Sequence, residues 1–494
     1  MAEVSELLFP AWTSDYIITA PADKPPAVGF SPFSCSPEAM DWLGPSAPDV
    51  FGYAESSPET ADHWSSAATS SSTSAVGTPA DASLAGSCDG DDEKGQRLVH
   101  LLMAAAEAIA GCQGSQLAHV ILARLNESLH LPLAAGEPSG MERLTSHFTV
   151  ALWRLLRDGL PPADDELCSS EVVAAFELLQ DLSPYVKFGH LTANQAIIEA
   201  VVGERRIHIV DFDIMEGVQW PSLMQALVTM KNVPPPAHLR ITAVTRAGGR
   251  RRSPTAATSV GETGRRLAAF AASIGLPFSF RQCRLEPGGS FRPASVKVVR
   301  GEAVVFNCAL HPPHQRYHSA ATVGSFLAGA AALGARVVTL VEEEGTGGCA
   351  GVGEEEKGFV WRFMEEMLRY SAILDSLEAG FPEEKTARET VERVILAPRI
   401  AGAVDVAYRW RNDWVAGWSE WMSAAGFRRV VMSAANHWQA KLLLGLFNEG
   451  YGIEEDNENK LLLRWKSRPL VGASVWAAPA PSSGECGRLG LFPC

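Results

Sequence analysis

The chain has 494 residues, of which 46% are hydrophobic and 20% are charged, so it can bury a sizeable core. Its net charge of −15 is concentrated at one end. Residues 1–94 carry fifteen Asp and Glu against two Lys, a net of −13, which leaves −2 for residues 95–494. A nearly neutral body is not typical of a protein that binds nucleic acid over its whole surface.

The nine cysteines are an odd number and occur without a C-x-x-C pair, which argues against both a zinc module and a disulfide framework. The acidic start MAEVSELLFP lacks the basic and apolar regions of a signal peptide. No apolar run approaches the roughly 18 residues that a membrane span requires. The sequence therefore predicts a soluble intracellular protein with reduced thiols, without a membrane span.

Residues 1–94 are rich in Ser, Pro, Ala and acidic residues, and we expect them to be disordered. Large apolar residues stand beside acids in this tail, as in Asp41-Trp42-Leu43 and Asp49-Val50-Phe51. That composition is typical of a disordered activation segment, and it equally suits a tail that only solubilises the protein.

Residues 95–204 have the apolar periodicity of a helical cap. The first helix starts at Leu98 and ends at Gly111, and the same pattern predicts helices at 116–129, 140–158, 169–183 and 189–202. One face of the first helix carries Leu98, Leu101, Leu102 and Ala105. This face can bind a partner helix, or it can pack into the core of the cap.

Residues 205–478 alternate between strands and helices, which predicts an α/β fold with a doubly wound parallel sheet of the Rossmann type. The predicted strands are 206–212, 239–245, 276–281, 303–307, 336–342, 461–465 and 471–477. The predicted helices are 221–230, 261–274, 319–334, 357–379 and a Trp-rich helix. Residues 479–494 are expected to form a flexible C-terminal tail.

The loop after the first strand is where a doubly wound fold binds a nucleotide or adenosylmethionine. A methyltransferase-like loop would place glycines at alternate positions after the acid. Here the pattern is Asp211-x-Asp213-x-Met215-x-Gly217, so two of three glycines are replaced. The extra carboxylate of Asp213 would repel the carboxylate of adenosylmethionine. We therefore predict no bound cofactor, with Asp211 as a hydrogen-bonding anchor; a retained ligand site is the alternative.

Three histidines, His311, His314 and His318, lie within eight residues. No cysteine or acid at ligand spacing joins them, so we predict a loop that lines a groove or interface, and no metal site.

The densest positive cluster consists of Arg246, Arg250, Arg251 and Arg252. These side chains can contact phosphate, mark the protein for nuclear import, or form a solvated loop.

A tryptophan stripe at Trp410, Trp414, Trp418 and Trp421 has the spacing of one helix face, which favours packing in the core. No combination of nucleophile and base, and no phosphate-binding loop, indicates an enzyme.

Several segments, in order, resemble motifs of the GRAS family. Residues 207–211, continued by Gln219-Trp220-Pro221-Ser222-Leu223, are similar to the VHIID motif at the centre of that family's domain. Residues 98–111 and 183–197 resemble the family's two leucine-rich segments. Residues 263–278 resemble the stretch after the central motif, and residues 465–476 resemble the terminal SAW motif. The chain is thereby identified as a member of the GRAS family over about residues 95–478.

Three segments resemble one branch of the family, which acts in nodulation and mycorrhizal signalling and in strigolactone biosynthesis. They are residues 210–223, 307–314 and 396–400. In the last of them Arg399-Ile400 stands where most members carry Arg-Glu.

The resemblance implies a methyltransferase-like core under a helical cap. It also implies a non-enzymatic transcriptional regulator in the nucleus, in complex with a second GRAS protein that contacts DNA. Two alternatives remain open at this point: a small-molecule-binding or methyltransferase-like protein, and a factor that binds DNA directly through Arg246–Arg252.

Overall fold

A computed structural model describes most of the chain from residue 88 to residue 479. The described residues are 88–111, 115–130, 138–157, 169–231, 233–245, 254–309, 320–344, 358–409, 418–456 and 459–479. From Gly95 onward the described residues belong to one compact unit. Most of the acidic tail, the basic loop Arg246–Arg252 and the three clustered histidines lie outside the described residues.

Five helices precede the sheet and form the predicted cap. They are α1 (Cys88–Ala110), α2 (Ser115–His130), α3 (Gly140–Leu156), α4 (Ser169–Leu182) and α5 (Pro184–Val201). A capping box starts α3, in which the backbone N–H of Ser139 donates to Glu142 Oε2 (2.7 Å) and that of Glu142 donates to Ser139 Oγ (3.3 Å). Helix α1 begins ten residues before the predicted Leu98, so residues 88–94, which the sequence assigned to the tail, are helical. Residues 88–94 lack apolar periodicity, so the hydrophobic pattern of the sequence could not indicate that the helix begins at Cys88.

The described strands form one mixed sheet. They are β1 (Arg206–Phe212), β2 (His238–Thr245), β3 (Phe278–Arg284), β4 (Ala303–Ala309), β5 (Val337–Glu343), β6 (Arg428–Val430), β7 (Tyr451–Glu455), β8 (Leu461–Trp465) and β9 (Arg468–Ala477). Their order is β3-β2-β1-β4-β5-β9-β8-β7, and β6 also pairs with β9. The first five strands are parallel and the rest are antiparallel. The predicted Rossmann-type core is confirmed, with an antiparallel extension beyond β5.

Eight further helices surround the sheet: α6 (Trp220–Thr229), α7 (Pro254–Ser273), α8 (Ala320–Ala332), α9 (Phe359–Gly380), α10 (Lys385–Val391), α11 (Ala397–Arg409), α12 (Trp418–Ala424) and α13 (Ala434–Leu444). Alternate residues of each strand face opposite sides. Ile209 and Val305 pack with the cap and with α6, α7, α9, α11 and α13. Phe212 and Phe306 pack on the other side, against α8 and α12. Among the described helices, none is long and apolar enough to cross a bilayer.

A close approach places α5 directly on the sheet. A Cβ atom at Gly189 would lie 2.5 Å from Val341 Cγ1, so only glycine permits this contact. Ser183 caps α5 and Pro184 occupies its first turn, where proline is favoured. This start signal explains why α5 begins five residues before the prediction.

One turn of π-helix, Glu392–Leu396, joins α10 to α11. Pro398 follows two residues later, and its ring cannot fit over the carbonyl of Val394 in a regular α-helix. A widened turn accommodates this conflict. The helix continues and carries Arg399 into the interior, where it is 1% exposed.

Candidate functional site

The loop after β1 keeps a backbone that favours glycine, although two of the three glycine positions hold other residues. Asp213, Met215 and Gly217 have φ angles of 59°, 51° and 73°, all in the left-handed region. These are the three alternate positions where a methyltransferase-like loop would carry glycine. Each non-glycine residue held there costs roughly 1–3 kcal/mol, so the surrounding structure must compensate. The loop path is retained, and side chains stand where glycine would leave open space.

Asp211 is buried at the end of β1 and both of its carboxylate oxygens are hydrogen-bonded. Trp220 Nε1 donates to Oδ2 at 2.9 Å, and Asn307 Nδ2 donates to Oδ1 at 2.9 Å. Asp211 and Asn307 are register partners on β1 and β4. The carboxylate therefore anchors the first turn of α6 to the sheet.

A wider polar network extends from Asn307. Thr339 Oγ1 donates to Asn307 Oδ1 at 2.7 Å, and Thr339 is the register partner of Asn307 on β5. On the cap side, Asn307 Nδ2 donates to Gln219 Oε1 at 3.1 Å, and Gln219 Nε2 donates to Asn194 Oδ1 at 3.1 Å. Neighbouring strands thus connect through the loop to α5. A satisfied buried network of this kind fixes one arrangement of the elements that it joins.

Burial raises the pKa of Asp211 from 3.8 to about 7. The hydrogen bonds from Asn307 and Trp220 oppose this shift, and the neighbouring charge of Asp213 adds to it. A carboxyl group with such a pKa is common in catalytic sites. In this chain both oxygens of the Asp211 carboxyl accept hydrogen bonds from Trp220 and Asn307, so we assign the group a structural role.

The cleft beside this loop is lined by residues of the cap, the loop and α11, among them Phe176, His190, Asp213, Met215, Gln219 and Arg399. It encloses about 20 Å³, room for roughly one water molecule. A nucleotide or adenosylmethionine would have to displace the side chains of the loop. The residues present do not fit such a cofactor, because a carboxylate and a thioether occupy the two glycine positions.

Gly217→Ala tests how tightly the loop is held. The added Cβ would lie 2.6 Å from Thr263 Cγ2, and the left-handed φ would be strained. We expect the free energy of unfolding to fall by about 2 kcal/mol or more. The control is Gly275→Ala, which has a φ of 70° and no atom within 4 Å of the new Cβ, and it should cost only about 1 kcal/mol. Equal losses in urea denaturation would show that the loop does not pack tightly against α7.

Below the cleft, a buried charge cluster centres on Glu343 at the end of β5. Arg399 Nη1 donates to Glu343 Oε1 at 2.7 Å, and the Tyr185 hydroxyl donates to the same oxygen at 2.5 Å. Arg369 Nη1 lies 3.5 Å from Glu343 Oε2 and 3.1 Å from Glu366 Oε2. The cluster joins α5, β5, α9 and α11. Burial alone would lower the pKa of Arg399, but Glu343 and the tyrosines raise it overall, so the guanidinium stays charged.

The predicted partner face of α1 is mostly turned inward. Leu98, Leu102 and Ala105 are buried in the cap core, and Leu101 is half-buried. The core-packing alternative accounts for their positions. The apolar side chains of these three buried residues pack within the cap. A role of this helix in partner binding stays a prediction.

The other candidate residues fall into two groups. Arg246, Arg250, Arg251, Arg252, His311, His314 and His318 lie outside the described residues. Of the tryptophan stripe, Trp418 and Trp421 lie on α12, where they are half-buried against the cluster that contains Phe212 and Phe306. Trp410 and Trp414 lie outside the described residues, so the four-residue stripe stays a prediction. Within the described ranges no group of three His, Cys, Asp or Glu side chains could hold a metal ion.

The sequence did not reveal the polar network of Asn307, Thr339 and Asn194, nor the ion pair between Arg399 and Glu343. A signal was available for the first two, because a polar residue interrupts an apolar strand at equivalent positions of β4 and β5. The other residues come from separate helices, and no spacing in the chain relates them.

Comparisons with known proteins agree on one family. The model of the GRAS domain family matches residues 98–477. Protein NODULATION SIGNALING PATHWAY 2 of Medicago truncatula is 51% identical over 417 residues, covering 80% of this chain and 78% of the relative. The protein of the same name in Lotus japonicus is 52% identical over 406 residues, covering 79% and 78%. The crystal structure of SCL7 in Oryza sativa superposes with a TM-score of 0.59 at 34% identity, covering 77% of this chain and 99% of that one.

The family model spans most of the chain, and the solved structure has the same fold. The order of motifs, the capped Rossmann-type sheet and these matches lead to the same conclusion: the chain belongs to the GRAS domain family.

Proposed function

We propose that this chain is a plant transcriptional regulator of nodulation signalling that acts without enzymatic activity. The observation that carries the proposal is the loop after β1, whose glycine positions hold Asp213 and Met215 and whose acid, Asp211, is bound by Trp220 and Asn307. At the place where this fold type binds a cofactor, side chains of the protein hydrogen-bond to one another. The names of the relatives in Medicago truncatula and Lotus japonicus support the pathway.

Two finer parts of the proposal rest on the family resemblance. The protein acts in the nucleus, in complex with a second GRAS protein that contacts DNA. Its target genes include those of mycorrhizal signalling and strigolactone biosynthesis. The nearly neutral charge of residues 95–494 supports contact with DNA through the partner, because binding by the chain alone would require several phosphates to be neutralised.

The cap offers an apolar surface for that partner on α2. Leu117 is 58% exposed and Val120 is 66% exposed, and the two residues lie one turn apart on the same helix face. Large exposed apolar residues of this kind are typical of sites where another helix docks. Leu101 of α1 is half-buried and packs against the core. Leu102 of α1 is fully buried, so a Leu102→Glu substitution would place a charge in the cap core. Such a variant could not separate a loss of partner binding from a loss of folding.

Leu117→Ser combined with Val120→Ser should weaken binding of the second GRAS protein by about tenfold, because truncated apolar contacts at an interface typically cost 1–2 kcal/mol in total. Binding is measured by calorimetry with the full chain. The matched control is Val202→Ser with Val431→Ser, which removes exposed apolar side chains away from α2, in the turn after α5 and in the loop after β6. Equal affinities for the test variant and the wild type would remove α2 from the partner site. Equal weakening by the control would show a general effect of lost surface hydrophobicity.

A further inference from the structure

One corner of the sheet carries exposed cations for which the described part of the chain provides no carboxylate partner. We name it the basic corner; it consists of Arg205, Arg206, Arg281, Lys297 and Arg300. Arg206 is the register partner of His238, whose N–H donates to Arg205 O at 3.2 Å. Arg240 Nη1 donates to Lys297 O at 3.2 Å. These contacts bring the amino-terminal ends of β1 and β2 together with the segment before β4, and Arg281 lies on the neighbouring strand β3, opposite Thr242 of β2.

Two acids adjoin the corner, and both are engaged by other residues: Glu204, which precedes Arg205, pairs with Arg336, and Glu302 has three partners. Glu302 is buried, accepts from the N–H of Val299 at 2.8 Å, and lies 3.0 Å from Arg240 Nη2 and 3.1 Å from His208 Nδ1. Within the described ranges, none of the five cations of the basic corner has a carboxylate at salt-bridge distance. Some exposed arginines elsewhere are paired, such as Arg393 with Glu171 at 2.5 Å. The positive charge of the corner therefore faces solvent.

The corner also exposes apolar surface. Val298 and Val299 lie between Lys297 and Arg300 and are 37% and 39% exposed. A turn holds them there, with the Glu302 N–H donating to Val299 O at 3.1 Å. Nucleic-acid backbones are bound by cations and polar groups, and they make little use of exposed aliphatic side chains. A peptide that alternates acids with large apolar residues would satisfy both features.

We propose that the basic corner binds an acidic peptide segment of a partner protein, with apolar side chains of that segment on Val298 and Val299. With a net charge of −2, residues 95–494 do not provide the extended positive surface that a polyanion as long as DNA requires. A short segment feels the local field of the corner alone, because salt screens charges beyond about 10 Å. This surface is separate from α2, so it serves a different partner segment.

The probe is a fluorescent peptide of about twenty residues in which Asp and Glu alternate with Leu and Phe. The full chain is titrated into it and anisotropy is recorded at about 50 mM and about 300 mM salt. The test variant is Arg206→Gln/Arg281→Gln/Lys297→Gln/Arg300→Gln. The matched control is Arg124→Gln/Arg154→Gln/Arg428→Gln/Lys441→Gln, which removes four exposed charges elsewhere. We expect the test variant to bind about tenfold or more weakly at low salt, and the control to bind within about twofold of wild type.

Two further measurements keep the proposal testable if the four-site variant unfolds. Val298→Ser/Val299→Ser should weaken binding at high salt, where the apolar contact dominates. In the wild type, hydrogen exchange at residues 297–302 should slow when the peptide is added. Equal binding by the test and control variants would overturn the proposal. Tighter binding of a mixed-sequence DNA duplex through the same residues would overturn it in favour of a nucleic-acid site.

Discussion

Arg399→Ala should lower the free energy of unfolding by about 3 kcal/mol or more, because it leaves the Glu343 carboxylate buried without its closest cation. Arg369 remains 3.5 Å from the other oxygen, so compensation is partial. The measurement is urea denaturation followed by circular dichroism. The control is Arg393→Ala, whose pair with Glu171 is exposed and should contribute less than about 1 kcal/mol. Equal losses for the two variants would show that Arg399 does not hold the cap, sheet and α11 together.

The two residues at Arg399-Ile400 have different surroundings in the structure. Arg399 pairs with the carboxylate of Glu343 on β5, while Ile400 is fully buried in the apolar core. An acid at position 400 would lie in that core without an evident cation. The arginine is thus part of a structural cluster in this chain, with its partner distant in sequence.

Asp211→Asn should remove a pH dependence of stability. In the folded protein the carboxyl of Asp211 has a pKa of about 7, whereas in an unfolded chain it ionises near its ordinary value of 3.8. Between these values the folded state binds more protons, so rising pH favours unfolding. The contribution is about 1.4 kcal/mol for each pH unit over which only the folded state keeps the proton. Asn cannot titrate, so the free energy of unfolding of the variant lacks this decrease with rising pH.

The measurement is the free energy of unfolding of wild type and Asp211→Asn from pH 4 to pH 8. Wild type should lose stability relative to the variant as the pH rises, by up to about 4 kcal/mol. Asp181→Asn, a change of an exposed carboxylate on α4, serves as the control for removing an acid. Parallel curves for wild type and Asp211→Asn would show that Asp211 is not held in the buried environment described above.

The regular core could be predicted from the sequence because its signals are local. Strand β1 was predicted at 206–212 and found there, since an apolar run between charged residues leaves few alternatives. Helix ends were less accurate where the signal was a cap or a proline, as at Ser183-Pro184. The strands β6 and β7 were missed, because three to five residues with mixed burial give no clear alternation.

The candidate site could be located but not built from the sequence. The replaced glycines at positions 213 and 215 were visible, and they indicated a lost cofactor loop. That the backbone nevertheless keeps left-handed angles at both positions could not be foreseen, because propensity disfavours it for Asp and Met. The polar network and the Arg399–Glu343 pair depend on register and on helix packing, which only the folded chain brings together.

The proposal that this protein regulates transcription through a DNA-binding partner is tested most directly by size-exclusion chromatography with fluorescent promoter DNA. The full chain is run with DNA alone, with a second GRAS protein alone, and with both. We expect DNA to elute with this chain only when the second GRAS protein is present. Salt-sensitive retention of DNA by this chain alone, lost when Arg246, Arg250, Arg251 and Arg252 are changed to Ala, would contradict the account and place DNA binding on its own basic loop.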